Sequence, residues 1–414
     1  MPMSKLKYVI LPVLLISAFA VNALALRFNG NIVSLGQGYQ DYYGEDHFIL
    51  ANGLRFHLTD FRIAPLSFHG YFQYYGDTQD DYTANGKFRL YSGYLQYTSK
   101  NCPISFRGGR MFLFRGVAVG VLDGGEIAFK ANHQVTITAF GGMQGPLSRE
   151  WELEKPAEAT MFGGEIRFIP FALRKYRTTI AVSYTHQKRD GELMRHLAGI
   201  AFNFKLNRRW SSLNVVHLNL VSSSLRKAIT RWQYHSHKFR CALETAAIQP
   251  YFSASSYFND FKQVGTIFRF KNTTEYHYIA QKWGGGLSAM FFTTGEYGVR
   301  IGPYFIFPYG RIGCHFSQGN QPNNNILWGH LRWSPEDFIE IYAYATAMEY
   351  EWEEMEIDTQ ETSMLNLGCR FRPPLVKGMA VGLEWQNYKT PEVDYDQRII
   401  FNFHYNFNMG DANE

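Results

Sequence analysis

Tyr395–Phe407 reads YDQRIIFNFHYNF, close to the C-terminal end of the sequence. Its odd positions are Tyr395, Gln397, Ile399, Phe401, Phe403, Tyr405 and Phe407, and its even positions are Asp396, Arg398, Ile400, Asn402, His404 and Asn406. A strand sends alternate side chains to opposite faces, so one face here is aromatic and the other polar. The stretch is 13 residues long, and a tilted strand needs roughly 9–11 to cross a bilayer. An aromatic face suits lipid with a watery lumen behind it, and it suits the core of a sandwich as well. Repetition along the chain decides between the two.

The pattern repeats towards the N-terminus. In Tyr297–Phe307, Val299, Ile301, Phe305 and Phe307 alternate with Gly298, Arg300, Gly302 and Tyr304. Tyr309–Ser317, Ile326–Trp333, Asp337–Met348, Met364–Phe371 and Gly378–Gln386 are likewise apolar on one face and polar on the other. Long connections (Gln318–Asn325, Glu349–Glu361, Tyr388–Asp394) alternate with short ones, as outer loops and inner turns do in membrane barrels. Further long loops are expected at Gln37–Asp46, Gly76–Gly86 and Gln144–Ala159. The predicted fold is all-β, a transmembrane up-and-down antiparallel β-barrel of roughly 18–22 strands, with 22 the literal reading. Trp210–Lys262 holds two or three strands, and Ser224–Trp232 is also readable as a short helix.

The N-terminus fits an exported protein. Lys5 and Lys7 precede an apolar run from Tyr8 to Val21 and then Ala23-Leu24-Ala25. A charged start, a short apolar stretch and an A-x-A site predict a signal peptide over residues 1–25, cleaved after Ala25. The remainder, 26–414, carries no composition break and is expected to be one barrel domain. Removal of residues 1–25 takes away two lysines, so the formal net charge of +5 becomes about +3. No apolar run long enough for a helical membrane span remains. With 27 Tyr, 34 Phe and 8 Trp the chain is 17% aromatic, which suits the girdles of a barrel. The cysteines Cys102, Cys241, Cys314 and Cys369 form no C-x-x-C pair, so neither a metal site nor a disulfide framework is indicated, and a single disulfide stays open.

With these features the chain resembles bacterial outer-membrane porins. The closing strand, Phe401-x-Phe403-x-Tyr405-x-Phe407, is similar to the signal that the barrel-assembly machinery recognises in that family, although Asn408–Glu414 follow it here. Gly109-Arg110, Asp123-Gly124 and Phe140-Gly141 resemble landmarks of substrate-specific porins, including alginate-export channels. The resemblance implies location in the bacterial outer membrane, with lipid and lipopolysaccharide around the barrel and no cofactor.

If the apolar faces meet lipid, the opposite faces line a pore. Those positions carry Lys87, Arg89, Arg107, Lys130, Arg167, Arg177, Arg195, Lys205, Arg269, Lys271, Arg300, Arg311, Arg332, Arg370 and Arg398, against Glu126, Glu165, Glu340 and Glu384. A lumen of one sign between low-dielectric walls concentrates the opposite ion. Arginine also binds carboxylate and phosphate through its planar fork. A channel for small anionic solutes, such as acidic sugars or carboxylates, is the expected function. The alternative is a structural or surface-binding barrel whose lumen is plugged. Met111–Gly124, MFLFRGVAVGVLDG, is apolar and glycine-rich. Either it folds into the pore, with Arg115 and Asp123 at a constriction, or it prolongs the flanking strands outward.

Other signals stay at background. The acidic run Glu349–Glu361 has no calcium-loop spacing, and His235 and His237 read as exposed turn residues rather than metal ligands. No G-x-S-x-G is present, so no enzyme is expected. Basic residues interleaved with apolar ones over many strands do not form a nucleic-acid site.

Overall fold

The structure, a computed structural model, describes residues 27–40, 44–61, 65–77, 87–146, 153–155, 157–249, 265–279, 282–293, 297–319, 323–352, 357–391 and 395–409. Twenty-two strands follow in chain order. The first eleven are β1 (Arg27–Gln40), β2 (Asp46–Thr59), β3 (Leu66–Asp77), β4 (Lys87–Thr98), β5 (Ile104–Arg115), β6 (Ala118–Lys130), β7 (Val135–Gln144), β8 (Thr160–Phe168), β9 (Thr179–Arg189), β10 (Glu192–Phe204) and β11 (Trp210–Asn219). The others are β12 (Ser224–His235), β13 (Phe239–Ile248), β14 (Ile267–Ile279), β15 (Trp283–Thr293), β16 (Tyr297–Phe307), β17 (Gly310–Gly319), β18 (Asn323–Glu336), β19 (Ile339–Trp352), β20 (Ile357–Phe371), β21 (Met379–Lys389) and β22 (Asp396–Met409). A single 3-10 turn, Phe171–Tyr176, lies between β8 and β9.

Every strand pairs antiparallel with its sequence neighbours, and β1 pairs with β22, from Phe28↔Met409 to Tyr39↔Arg398. The sheet is therefore a closed barrel without a free edge. Closure matters in a membrane because lipid offers no partner to an unpaired N–H or C=O. A barrel of this strand number is too wide for wall side chains to fill, so its interior is a lumen.

Several expectations are corrected. Ser224–Trp232 is not a helix; it lies in β12 and pairs with β11 and β13. Glu349–Glu361 is not a long loop: β19 runs to Trp352 and β20 begins at Ile357, and the side chains of 351–359 lie outside the described residues. Met111–Gly124 is not a loop either, but the ends of β5 and β6 joined by a turn at Gly116 and Val117. The residues after Phe407 do not all trail, since Asn408 and Met409 continue β22 against β1. Strand also occupies Gln37–Gln40 and Gly76–Asp77, where loop was expected. The expected signal peptide lies outside the described residues. The four cysteines are free thiols.

Candidate functional site

The outer face explains the alternation. Ile399, Leu383, Leu327, Phe316, Ile312 and Phe268 are each about half exposed or more (56, 51, 64, 53, 49 and 56%). In water each such side chain forgoes about 1.5–3 kcal/mol of burial. At one rim the strand ends carry an aromatic band: Trp210 packs on Tyr234 at 4.7 Å, Tyr234 on Phe239 at 5.9 Å, Trp283 on Phe305 at 5.7 Å and Phe338 on Phe371 at 6.0 Å. Rings with one apolar and one polar end belong at a membrane–water boundary. The chain is a closed antiparallel β-barrel with the apolar outer face of a membrane-spanning one. Its inward face is polar and organised around carboxylates.

Four glutamates of this wall are each shared by two or three arginines. Glu126 accepts from Arg107 Nε at 3.0 Å and from Arg115 Nε at 2.9 Å. Glu244 accepts from Arg231 and from Arg269 Nη2, the latter at 2.7 Å. Glu275 accepts from Arg311 Nη1 at 3.1 Å and Tyr304 Oη at 2.9 Å, and Arg240 Nη1 stands 3.7 Å away. Glu340 accepts from Arg332 at 2.5 Å, Arg372 at 3.3 Å and Arg370 at 3.4 Å. Pairing does not neutralise these clusters, because each holds more guanidinium than carboxylate. Exposure adds to the imbalance: the Glu340 side chain is 6% exposed and that of Arg332 is 55%. The lumen meets the cations, while the carboxylates lie behind them.

The β5–β6 hairpin leaves the wall and folds inward. β5 pairs with β4 as far as Arg110, and β6 with β7 from Leu122 onward. Beyond these points the hairpin continues alone to its tip. Arg107 and Arg115 are eight residues apart, about 26 Å along an extended strand. Both nevertheless bond Glu126, so the hairpin doubles back beside its own stem. The tip lies over the adjoining wall: Val117 N donates to Ser183 Oγ of β9, three strands along from β6, at 3.1 Å. Met111, Leu113, Ala118 and Leu122 are fully buried against Phe140 and Met161 of β7 and β8. The bend itself is built from glycine. Gly109 has φ +126°, and a Cβ there would lie 2.3 Å from Gly93 O. Gly124 and Gly142 approach each other so closely that a Cβ on either would meet backbone at 2.3–2.4 Å. Beside the bend, Arg110 and Asp123 form a buried two-point pair, Nε–Oδ1 2.6 Å and Nη2–Oδ2 2.7 Å.

The hairpin's outer side faces β1–β4 across a chamber of about 600 Å³. Phe112 and Val121 line it from the hairpin, and Asn29, Asn31, Arg55, His57, His69, Tyr71, Tyr91 and Tyr94 from the wall.

The sequence-predicted residues fall into groups. Arg107, Arg167, Arg269, Arg311, Arg332, Arg370 and Arg398 each bond a carboxylate. Arg300 Nε donates to Ser317 Oγ at 2.8 Å, and Arg89 stacks over the Tyr75 ring at 4.4 Å. Lys130 and Arg195 oppose Thr136 and Gln187. Arg115 is at the hairpin tip, and Asp123 is at its bend rather than beside Arg115. Arg177 is corrected: it occupies a left-handed turn position, φ 46°, outside the strands. The Lys87 side chain lies outside the described residues. Glu244, Glu275, Arg231, Arg240 and Arg372 were not singled out from the sequence. The signal for the first four was the shared alternation of β12–β14, which needs strand register to read, whereas Arg372 follows the end of β20.

No family model matches the chain, and no curated protein matches it in sequence. Among solved structures it is similar to the P pilus usher (PapC) translocation pore, at 8% identity and TM-score 0.47 over 92% of this chain and 99% of that one. It is also similar to Pseudomonas aeruginosa OpdK with vanillate, at 6% identity and TM-score 0.44 over 92% and 98%. Acinetobacter baumannii OccAB1 shows 7% identity and TM-score 0.44 over 94% and 98%.

Proposed function

We propose that this barrel is an outer-membrane channel for passive diffusion of small hydrophilic solutes, with a preference for anions such as carboxylates and acidic sugars. The reading is carried by the shared glutamates: each shielded carboxylate is surrounded by two or three guanidiniums that are more open to the lumen than it is. Such a wall raises the local concentration of anions and presents planar forks to carboxylate oxygens. The hairpin narrows the path, and Arg115 and Arg107 carry positive charge at the narrowed level. Residues 1–25 export the chain, and the aromatic face of β22 (Phe401, Phe403, Tyr405 and Phe407) presents the closing strand to the assembly machinery. None of the chain's residues takes a catalytic role in this reading.

Conductance and reversal potential in a planar bilayer under a KCl gradient test it. A reversal potential on the chloride side supports the reading. Cation preference, or a barrel that passes no current, sinks it. In the second case the inward hairpin makes the barrel a plugged one.

A further inference from the structure

The wall of β1–β4 brings one arginine to the chamber, Arg55, which stands over the Tyr71 ring at 4.6 Å. Among the described residues, no carboxylate lines the chamber this wall shares with the hairpin. At its centre three rings from three neighbouring strands are stacked. His57 lies on His69 at 4.0 Å between centroids, 21° from parallel, and His69 lies on Tyr94 at 4.7 Å and 10°. Rings stacked in this way cover one another's faces. All three residues line the chamber, and their edges carry imidazole nitrogens and a phenol hydroxyl, with Ser67 Oγ 3.3 Å from His69 Nε2. Asn29 and Asn31 add amides beside them.

The hairpin offers the reverse. Phe112 is 54% exposed and Phe114, two positions on along the same strand face, is 76% exposed. The hairpin's other face is already buried in its own core, so these rings stand free in a space meant for water. Large apolar groups left exposed together mark a contact surface.

One side therefore supplies hydrogen-bonding edges and the other an apolar ring face. A flat aromatic solute would stack on Phe112 and leave amides and imidazoles unanswered, which is unfavourable once water is displaced. An open-chain polyol would answer the edges and leave the ring face wet. A pyranose has both surfaces, a face of axial C–H groups and a rim of hydroxyls. We infer that the chamber is a binding subsite for a pyranose sugar, its C–H face on Phe112 and its hydroxyls towards His57, His69, Asn29 and Asn31. Access to the subsite through the lumen rests on the channel reading above.

Methyl glucoside added to a conducting bilayer is expected to block the ion current saturably. Phe112→Ala raises the half-blocking concentration about three- to ten-fold, the worth of one ring contact, and Phe112→Trp, which keeps a ring face, restores it. Sorbitol and benzoate at the same concentrations block less. Equal block by either of them, or block unaffected by Phe112→Ala, overturns the subsite. A second readout needs no current: saturation transfer from the micellar protein to methyl glucoside, observed by NMR and reduced in Phe112→Ala. Transfer without conductance leaves the subsite standing and removes the channel. Conductance with neither block nor transfer removes the subsite and leaves the channel.

Discussion

Single side chains decide how the hairpin is held. Arg110 and Asp123 satisfy each other at two points, both almost wholly buried (3% and 4% exposed). Removing one partner of such a pair leaves a buried charge, typically a loss of about 3–5 kcal/mol, whereas replacing both by apolar groups is often close to neutral. Arg110→Met is therefore expected to lower the urea midpoint of the liposome-inserted barrel. Adding Asp123→Leu should recover most of that loss. Glu126 acts differently, because its two arginines are partly open to the lumen (21% and 27% exposed). Glu126→Gln removes the charge of the carboxylate that both guanidiniums share. The chloride-to-potassium permeability ratio should rise and the current become noisier. A ratio that falls would place Arg107 and Arg115 away from the ion path. At Gly109 the positive φ and the 2.3 Å approach of Gly93 O act together. A Cβ cannot be added without moving backbone, and strain at such a position costs about 1–3 kcal/mol before any clash. Gly109→Val should sharply reduce the fraction of folded, heat-modifiable barrel on a gel.

At the scale of elements, the hairpin is what separates this lumen from an open tube. Replacing residues 112–121 by Asn-Gly, a pair suited to a tight hairpin turn that keeps Met111 opposite Leu122, should raise single-channel conductance several-fold. Unchanged conductance would mean that the hairpin lies outside the narrowest section. This element was the hardest to read in the sequence, for a physical reason. Ordinary strands here are apolar on one face only. In Met111–Val121 one face packs against Phe140 and Met161 while the other carries Phe112, Phe114 and Val121, so alternation vanishes. The acidic stretch after Glu349 misled in the opposite direction: charge suggested loop, yet strand pairing continues through Glu349↔Glu361 and Tyr350↔Gln360. Ladder hydrogen bonds are indifferent to the charge of side chains that point into water.

For the whole molecule, the barrel was legible because β16–β22 keep one face apolar and the other polar without interruption, while the strand number was legible as a range of roughly 18–22 that includes the observed 22. The charge arrangement was only partly legible. Arg231 and Arg269 meet Glu244 from 13 and 25 positions away, and Arg370 meets Glu340 from 30. Such partners become neighbours only through register, so a list of basic positions overstates the isolation of each charge. Selectivity arising from many partly exposed arginines should also be screened. As KCl rises from 0.1 M towards 1 M the Debye length shrinks from about 10 Å to about 3 Å. Anion preference is expected to fall steeply over that range, whereas block by methyl glucoside, a neutral solute, should hold.

The seam between β1 and β22 has its own consequence for how the molecule comes into being. Every other pairing joins strands consecutive in the chain, but Tyr39 must meet Arg398, 359 positions distant. A loop's closure entropy grows only logarithmically, so going from a span of about 14 residues to this one adds roughly 3 kcal/mol. The thermodynamic toll is modest beside a ladder running the length of both strands. The kinetic one is not, because distant pairings are slow to find. Until the last strand has been synthesised and exported, the growing sheet has two unsatisfied borders, each able to accept a stranger's strand. Truncation before Asp396 should thus leave a chain that polymerises, rather than a slightly smaller tube.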